Sequence, residues 1–107
     1  MTTVADRLRI VPEFTSEDRG RLVDILSGKL DRRFKRWDPQ QVELEISAKG
    51  RDTDQQRVVL ECWISGLPKL VATSAEARLD DAIAEVRDDL FRQIDKHVTK
   101  QEGSRRR

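Results

Sequence analysis

The sequence has little of what membrane-bound or exported proteins need. None of its apolar runs approaches the length of a bilayer span, and the N-terminus, which begins Met1-Thr2-Thr3, lacks the apolar core of a signal peptide. We therefore expect a cytoplasmic protein with no membrane partner. Cys62 is the only cysteine, so the chain cannot form an intramolecular disulfide. Because Cys62 lies in an apolar alternation, we expect a small buried hydrophobic residue and not a reactive thiol.

The sequence also lacks the groups of residues that catalysis requires. His97 is the only histidine, and it has no nearby cysteine with which to form a metal site. There is no glycine-rich phosphate loop. The acidic pairs Asp80-Asp81 and Asp88-Asp89 are adjacent in sequence, so their side chains point in different directions on a helix. We expect no enzymatic activity, no metal, no cofactor and no small-molecule substrate, and a structural role for His97.

Size and charge are those of one polar domain. The chain has 107 residues, of which 36% are hydrophobic and 38% charged, enough for a single core. We predict one domain over residues 1–100 and a flexible basic tail over residues 101–107, because the tail has no apolar residue to bury. The net charge of +1 argues against a generally basic nucleic-acid-binding protein. Positive charge is nevertheless concentrated in residues 29–36, in the last helix and in the tail.

Two segments have the apolar spacing of amphipathic helices. We predict the first over residues 16–36, after Thr15 as N-cap and before the Asp38-Pro39 pair. We predict the second over residues 79–100, preceded by Thr73 and Glu76 at capping-box spacing. Their apolar stripes are Leu22, Leu26, Leu30 and Phe34 in the first helix, and Leu79, Ile83, Val86, Leu90 and Ile94 in the second.

Four further segments have the patterns of strands, at residues 8–14, 42–49, 57–64 and 69–73. The last three form an antiparallel meander because polar turns separate them. The first strand and the second are joined through a helix, so they are parallel and connected by a right-handed crossover. We therefore predict an α+β fold of β-α-β-β-β-α order: a two-layer sandwich in which a four-stranded sheet carries both helices on one face. On the other face we expect Trp63 to pack beside Val59 or Val71, with a contact role as the alternative.

The two helices carry basic residues that have few acids in reach on their own helix. These residues are Lys29, Arg32 and Arg36 on the first helix, and Arg92, Lys96 and Lys100 on the second. Only Arg92 has an acid, Asp88, at a favourable offset along the same helix. Such rows fit either an ordinary solvated surface or a groove that meets a phosphate backbone. In the second case the groove binds RNA mainly through charge and shape.

Two features of the chain are similar to a known family: residues 70–100, with the sequence LVATSAEARLDDAIAEVRDDLFRQIDKHVTK, and the order of the elements. Both resemble the short form of the ribosome hibernation-promoting factor and ribosome-associated inhibitor A family of bacteria. The family's fourth strand, which ends in a run of small residues, matches residues 70–75. The Leu-x-Arg-Gln-Leu-x-Lys-His-like core of the family's last helix matches residues 90–97. Trp37 is similar to the aromatic residue that closes the family's first helix. The chain departs from the family at Asp80, Asp89 and Val98, where tyrosine, lysine and a basic residue are usual.

The resemblance implies an architecture related to double-stranded RNA-binding domains and a function in ribosome hibernation during stress. It implies binding to the 16S rRNA of the small ribosomal subunit, in the channel for mRNA and tRNA, which blocks translation. It carries RNA contacts over to Arg92, Lys96 and Lys100, and to Arg32, Arg33 and Arg36 as a group. With Lys29, these are the candidate RNA-binding residues. The resemblance also implies that a C-terminal dimerisation domain is absent.

Two alternatives remain beside this expectation. The first is a structured-RNA-binding domain with a target other than the ribosome. The second is a protein-interaction domain whose basic helices are solvated surface. Salt separates the second from the others, because binding through several phosphates weakens steeply as the salt concentration rises.

Overall fold

Two long helices and four strands follow each other in the predicted order, with one short helix before them. The computed structural model describes residues 3–11, 14–51 and 53–105. Its elements are α1 (Val4–Arg7), β1 (Leu8–Ile10), α2 (Ser16–Phe34), a 3-10 helix (Pro39–Gln41), β2 (Val42–Lys49), β3 (Arg57–Ile64), β4 (Leu70–Ser74) and α3 (Leu79–Arg105). The strands pair in the order β1-β2-β3-β4, with β1 parallel to β2 and the other pairs antiparallel. The predicted α+β fold is confirmed.

Alternation along the strands buries one face of the sheet and leaves the other open. In β2 the buried side chains are Val42, Leu44, Ile46 and Ala48, and those between them are exposed or half-buried. The inward side chains of β3 and β4 join the same core, as do the apolar stripes of α2 and α3. Both long helices therefore cover the same face of the sheet, as two-layer packing requires. Cys62 is fully buried in this core, as predicted from its position in the alternation.

Helix α2 begins after Thr15 as N-cap, as the sequence predicts, and its first turn forms a capping box. The Asp18 backbone N–H donates to the Thr15 hydroxyl at 3.2 Å, and the Thr15 N–H donates to the Asp18 carboxylate at 2.9 Å. Two of the unpaired N–H groups at the helix start are satisfied in this way. The helix ends at Phe34, two residues before the predicted Arg36, because the chain turns there: the Trp37 N–H donates to the Phe34 carbonyl at 3.1 Å.

The two long helices run parallel to each other. Ion pairs join Arg21 to Asp80, Lys29 to Asp88 and Arg33 to Asp95, so the contact advances in the same direction along both helices. The C-terminal halves of α2 and α3 consequently lie at the same end of the molecule. Helix α3 is the longer of the two, and it also packs against β3 and β4. In the part of the chain that the structure describes, no helix has the apolar stretch needed to cross a lipid bilayer.

Two predicted strands have different bounds in the structure. Strand β1 ends at Ile10 and does not continue to Phe14; Pro12, the residue expected to limit that strand, lies outside the described residues. Strand β4 covers Leu70–Ser74 instead of residues 69–73, and the predicted capping box of Thr73 and Glu76 is wrong because both residues precede the helix. The Ser74 hydroxyl instead accepts the Glu76 N–H at 3.2 Å, and α3 begins at Leu79.

Helix α1 was not predicted. Its four residues are too few for a periodic pattern, and a contact distant in sequence holds its start: the Val4 N–H donates to the Asp31 carboxylate at 2.7 Å. The side chain of Val4 is fully buried. At the other end of the chain the helical backbone of α3 reaches Arg105, five residues beyond the predicted end at Lys100. The mobility of residues 101–107 stays a prediction.

Candidate nucleic-acid interface

The parallel arrangement of α2 and α3 separates charge along the molecule. Residues 29–36 at the end of α2 contain five basic residues and one acid, whereas residues 76–89 at the start of α3 contain six acids and two basic residues. Farther along α3, residues 92–100 contain three basic residues and one acid. Because the helices share a direction, their basic halves lie at one end. The predicted RNA-binding residues belong to this end, although they do not form one continuous row.

Lys29 and Arg33 of α2 lie against α3 and contact its acids. Lys29 Nζ is 3.1 Å from Asp88 Oδ1, and the Arg33 guanidinium donates to Asp95. The Phe91 ring lies between these pairs, with Lys29 Nζ and the Arg33 guanidinium carbon each 5.0 Å from its centroid. We call these five residues the helix seam. Lys29 has no acid at a helical offset on α2, as the sequence shows, but α3 supplies Asp88 as its partner.

A groove of about 290 Å³ opens beside the helix seam, lined by Lys29, Arg32, Arg33 and Phe91. Arg32 is exposed at its rim, and its Nε–H donates to the Gly28 carbonyl of its own helix at 3.2 Å. This groove brings together three of the predicted cations with an aromatic ring. It could accommodate an anionic group, with Arg32 as the cation most accessible from solvent.

Electrostatics keeps Asp88 ionised in the helix seam. The Arg87 Nε–H donates to its carboxylate at 2.9 Å and holds the pKa of Asp88 below its ordinary value; burial opposes this shift, and Lys29 adds to it. Arg87 also donates to the Ile25 carbonyl of α2 at 3.2 Å. Arg87 and Asp88 thus link the helices and fix their relative position near the groove.

The remaining cations of residues 29–36 follow the end of α2 and lie beyond the groove. Lys35 and Arg36 are exposed, and the Arg36 guanidinium carbon lies 5.4 Å from the centroid of the Trp37 ring. Trp37 itself packs on the core, so it provides a fixed surface for the arginine side chain. The carboxylate of Asp31 accepts the Val4 N–H, which gives it a partner other than Lys35.

The basic row of α3 lies outside the groove, on the outer surface of that helix. The Arg92 side chain is 71% exposed and its Nη2 lies 3.8 Å from Asp89, a pair three residues apart that the sequence reasoning did not consider. Asp89 also accepts a hydrogen bond from Gln93 at 3.3 Å. Lys96 and Lys100 are exposed. Arg92 borders a shallow depression of about 560 Å³ that is otherwise lined mainly by acids, so the basic surface begins at this residue.

Other residues singled out in the sequence lie away from this surface or inside the core. Burial raises the pKa of the Cys62 thiol to about 12, which makes it unreactive at neutral pH. His97 is half-buried on α3. Among the residues that the structure describes, no group of three or more His, Cys, Asp or Glu could hold a metal ion. Trp63 lies on the open sheet face, where Lys69 Nζ is 5.3 Å from its ring centroid and 2.5 Å from Glu61.

Sequence reasoning missed Asp88, Phe91 and Asp95 as part of the site. Phe91 carries a signal in retrospect, because it is a large apolar residue outside the stripe of α3. The two acids had a weaker signal, since their role depends on how α2 and α3 align.

The sequence matches no protein-family model and has no significant match among curated proteins. The resemblance to the hibernation-promoting family therefore rests on residues 70–100 and on the order of elements.

Proposed function

We propose that the chain is a non-enzymatic ribosome-associated factor. It binds the 16S rRNA of the small ribosomal subunit in the channel for mRNA and tRNA and blocks translation by occupying that channel. The observation that carries this proposal is the parallel alignment of α2 and α3, which concentrates the basic halves of both helices at one end. The family resemblance supplies the identity of the RNA.

The chemistry of this end favours phosphate over base recognition. Arg32, Arg92 and Lys96 are exposed on helices, where long cationic side chains reach outward from a rigid backbone. Such an arrangement meets an RNA backbone by charge and shape and carries little sequence information. An rRNA target suits this mode because its fold presents a fixed pattern of phosphates. Competitive occupancy of the channel then requires no catalytic residue.

Sedimentation with purified ribosomal subunits tests the proposal. The protein should pellet with small subunits at low salt, remain in the supernatant with large subunits, and dissociate as the salt concentration rises. Small subunits already loaded with mRNA and tRNA should bind much less of it, because the channel is filled. A translation reaction in vitro should slow in proportion to the small subunits occupied.

Other results would select the alternatives. Equal binding to loaded and empty small subunits would place the protein outside the channel. Equal binding to both subunits and to an unrelated RNA duplex would make it a general structured-RNA-binding domain. Failure to follow small subunits at low salt would remove the ribosomal proposal.

A further inference from the structure

Two carboxylates of α3 occupy positions in the helix seam that an anionic ligand could take. Asp88 pairs with Lys29 and Asp95 with Arg33, and both cations line the groove of about 290 Å³. These acids are accessible: the side chain of Asp95 is 50% exposed and that of Asp88 is 36% exposed. Ion pairs at such exposure are weak, so another anion can compete with them.

We propose that the groove is a phosphate site closed by the protein's own carboxylates, and that an RNA phosphodiester displaces Asp88 and Asp95 from Lys29 and Arg33 when it binds. This inference rests on the proposed binding of RNA and adds where a phosphate enters and what it must displace. Asp88 and Asp95 are internal counter-charges. They keep the charges of Lys29 and Arg33 neutralised until a phosphate enters the groove.

Arg33 has a hydrogen-bond donor that Asp95 leaves unused and that a phosphate could use. Its Nη2 donates to Asp95, whereas its Nε is buried and has no hydrogen-bond partner among the described residues. A phosphate in place of Asp95 can accept from Nε and Nη2 together once the guanidinium turns toward the groove, because arginine and phosphate match in bidentate geometry. Phe91 lies under both cations and keeps their side chains at the groove in either state.

Removing the two acids of the helix seam should change the salt dependence of RNA binding. Cations that are already paired release few counterions when RNA binds. In the double variant Asp88→Asn, Asp95→Asn both seam cations are freed, and no displaced carboxylate takes up a salt cation when a phosphate binds. The slope of log affinity against log salt should therefore steepen by up to about 1.4 to 1.8, at 0.7 to 0.9 for each of the two pairs. Affinity at low salt should rise at least tenfold. The probe is a fluorescent RNA duplex of about 16 base pairs.

The matched control is Glu43→Gln, Glu45→Gln, which removes the same charge from β2 on the open sheet face. It should raise affinity slightly through the net charge and leave the slope unchanged. Equal behaviour of the two double variants would overturn the inference, as would a seam variant with no gain.

A second measurement uses the unaltered protein and does not depend on the folding of a variant. Pyrophosphate is titrated while the Nε–H resonance of Arg33 and the ring resonances of Phe91 are followed by NMR. Saturable shifts of both are expected, and their constancy would overturn the inference. Neither test involves ribosomes. If the helix seam binds phosphate but the protein does not pellet with small subunits, the ribosomal function alone is refuted. If the protein pellets with small subunits but the helix seam does not bind phosphate, the phosphate site alone is refuted.

Discussion

Replacing Arg92, Lys96 and Lys100 by alanine should weaken RNA binding without unfolding the protein. The substitutions lie on the outer surface of α3, opposite the buried stripe that includes Ile83, Leu90 and Ile94. Arg92 loses an exposed pair with Asp89 at 3.8 Å, and such pairs contribute less than about 1 kcal/mol. Alanine also has a higher helix propensity than the residues it replaces, which offsets part of this loss. The midpoint of thermal unfolding should therefore change by no more than about 5 °C.

The magnitude of the binding effect follows from the number of cations removed. Each phosphate neutralised contributes about 0.7 to 0.9 to the slope of log affinity against log salt, so three lost contacts reduce that slope by about 2 to 3. Over a fourfold rise in salt, the unaltered protein should consequently lose about 20- to 40-fold more affinity than the variant. The difference should vanish at high salt, where phosphate contacts contribute little.

The assay is a titration of the variant against small ribosomal subunits at several salt concentrations. Its matched control is Arg9→Ala, Lys49→Ala, Arg57→Ala, which removes the same charge from exposed positions on the open sheet face. The control separates phosphate contacts from the effect of net charge, so its slope should stay close to that of the unaltered protein.

One result would refute this reasoning. If the alanine variant melts like its parent and binds small subunits with an unchanged affinity and slope, the three side chains are ordinary solvated surface. The site would then lie on α2, at Lys29, Arg32, Arg33 and Arg36, or away from both helices.

Three shorter predictions concern stability and the tail. The pKa of Asp18 is lowered, first by the hydrogen bond from the Thr15 N–H and then by Arg51, so the free energy of unfolding should fall as the pH drops below about 5. Asp18→Asn should make that decline smaller, as measured by urea unfolding at several pH values. Gly50 has a φ of 64°, and a Cβ there would lie 2.9 Å from the Gln55 carbonyl oxygen, so Gly50→Ala should destabilise the protein by more than about 1 kcal/mol. Gly28 has open space around it, so Gly28→Ala should stabilise the protein by up to about 1 kcal/mol in the same assay. Removal of residues 102–107 should lower ribosome affinity only modestly in the pelleting assay, and complete loss of binding would show that the main site lies in the tail.

The fold could be predicted because periodicity and core burial agree over its long elements. The apolar residues of α2 recur every four positions and those of β2 every second position, and each set is buried. The failures occur where local pattern competes with tertiary contacts. Thr73 resembles a helix cap in sequence, but its pairing with Val59 keeps it in β4. Helix α1 carries only a short local signal, Thr3 as N-cap with Asp6 three residues on, and Asp31 also holds its start from a distance in sequence.

The candidate site could be predicted only in part, for a related physical reason. The basic residues were identified from offsets along single helices, which describe charge pairing within a helix. Pairing between helices depends on their direction and axial alignment, which the offsets do not contain. The alignment that places Lys29 beside Asp88 also places Arg33 beside Asp95, so both pairs were missed together.

On the proposed function, the same alignment accounts for RNA binding by a chain whose net charge is only +1. Opposite charges at the two ends of parallel helices cancel in the total but not in the field near either end. On the proposed function, the acids of residues 76–85 lie away from the basic end and would orient the protein on RNA by repulsion. Asp88 and Asp95 lie at the boundary, where they reduce the attraction to any polyanion that does not reach the groove. On the proposed function, this one arrangement of charge predicts weak binding to arbitrary RNA and tighter binding to a phosphate pattern that fits the helices.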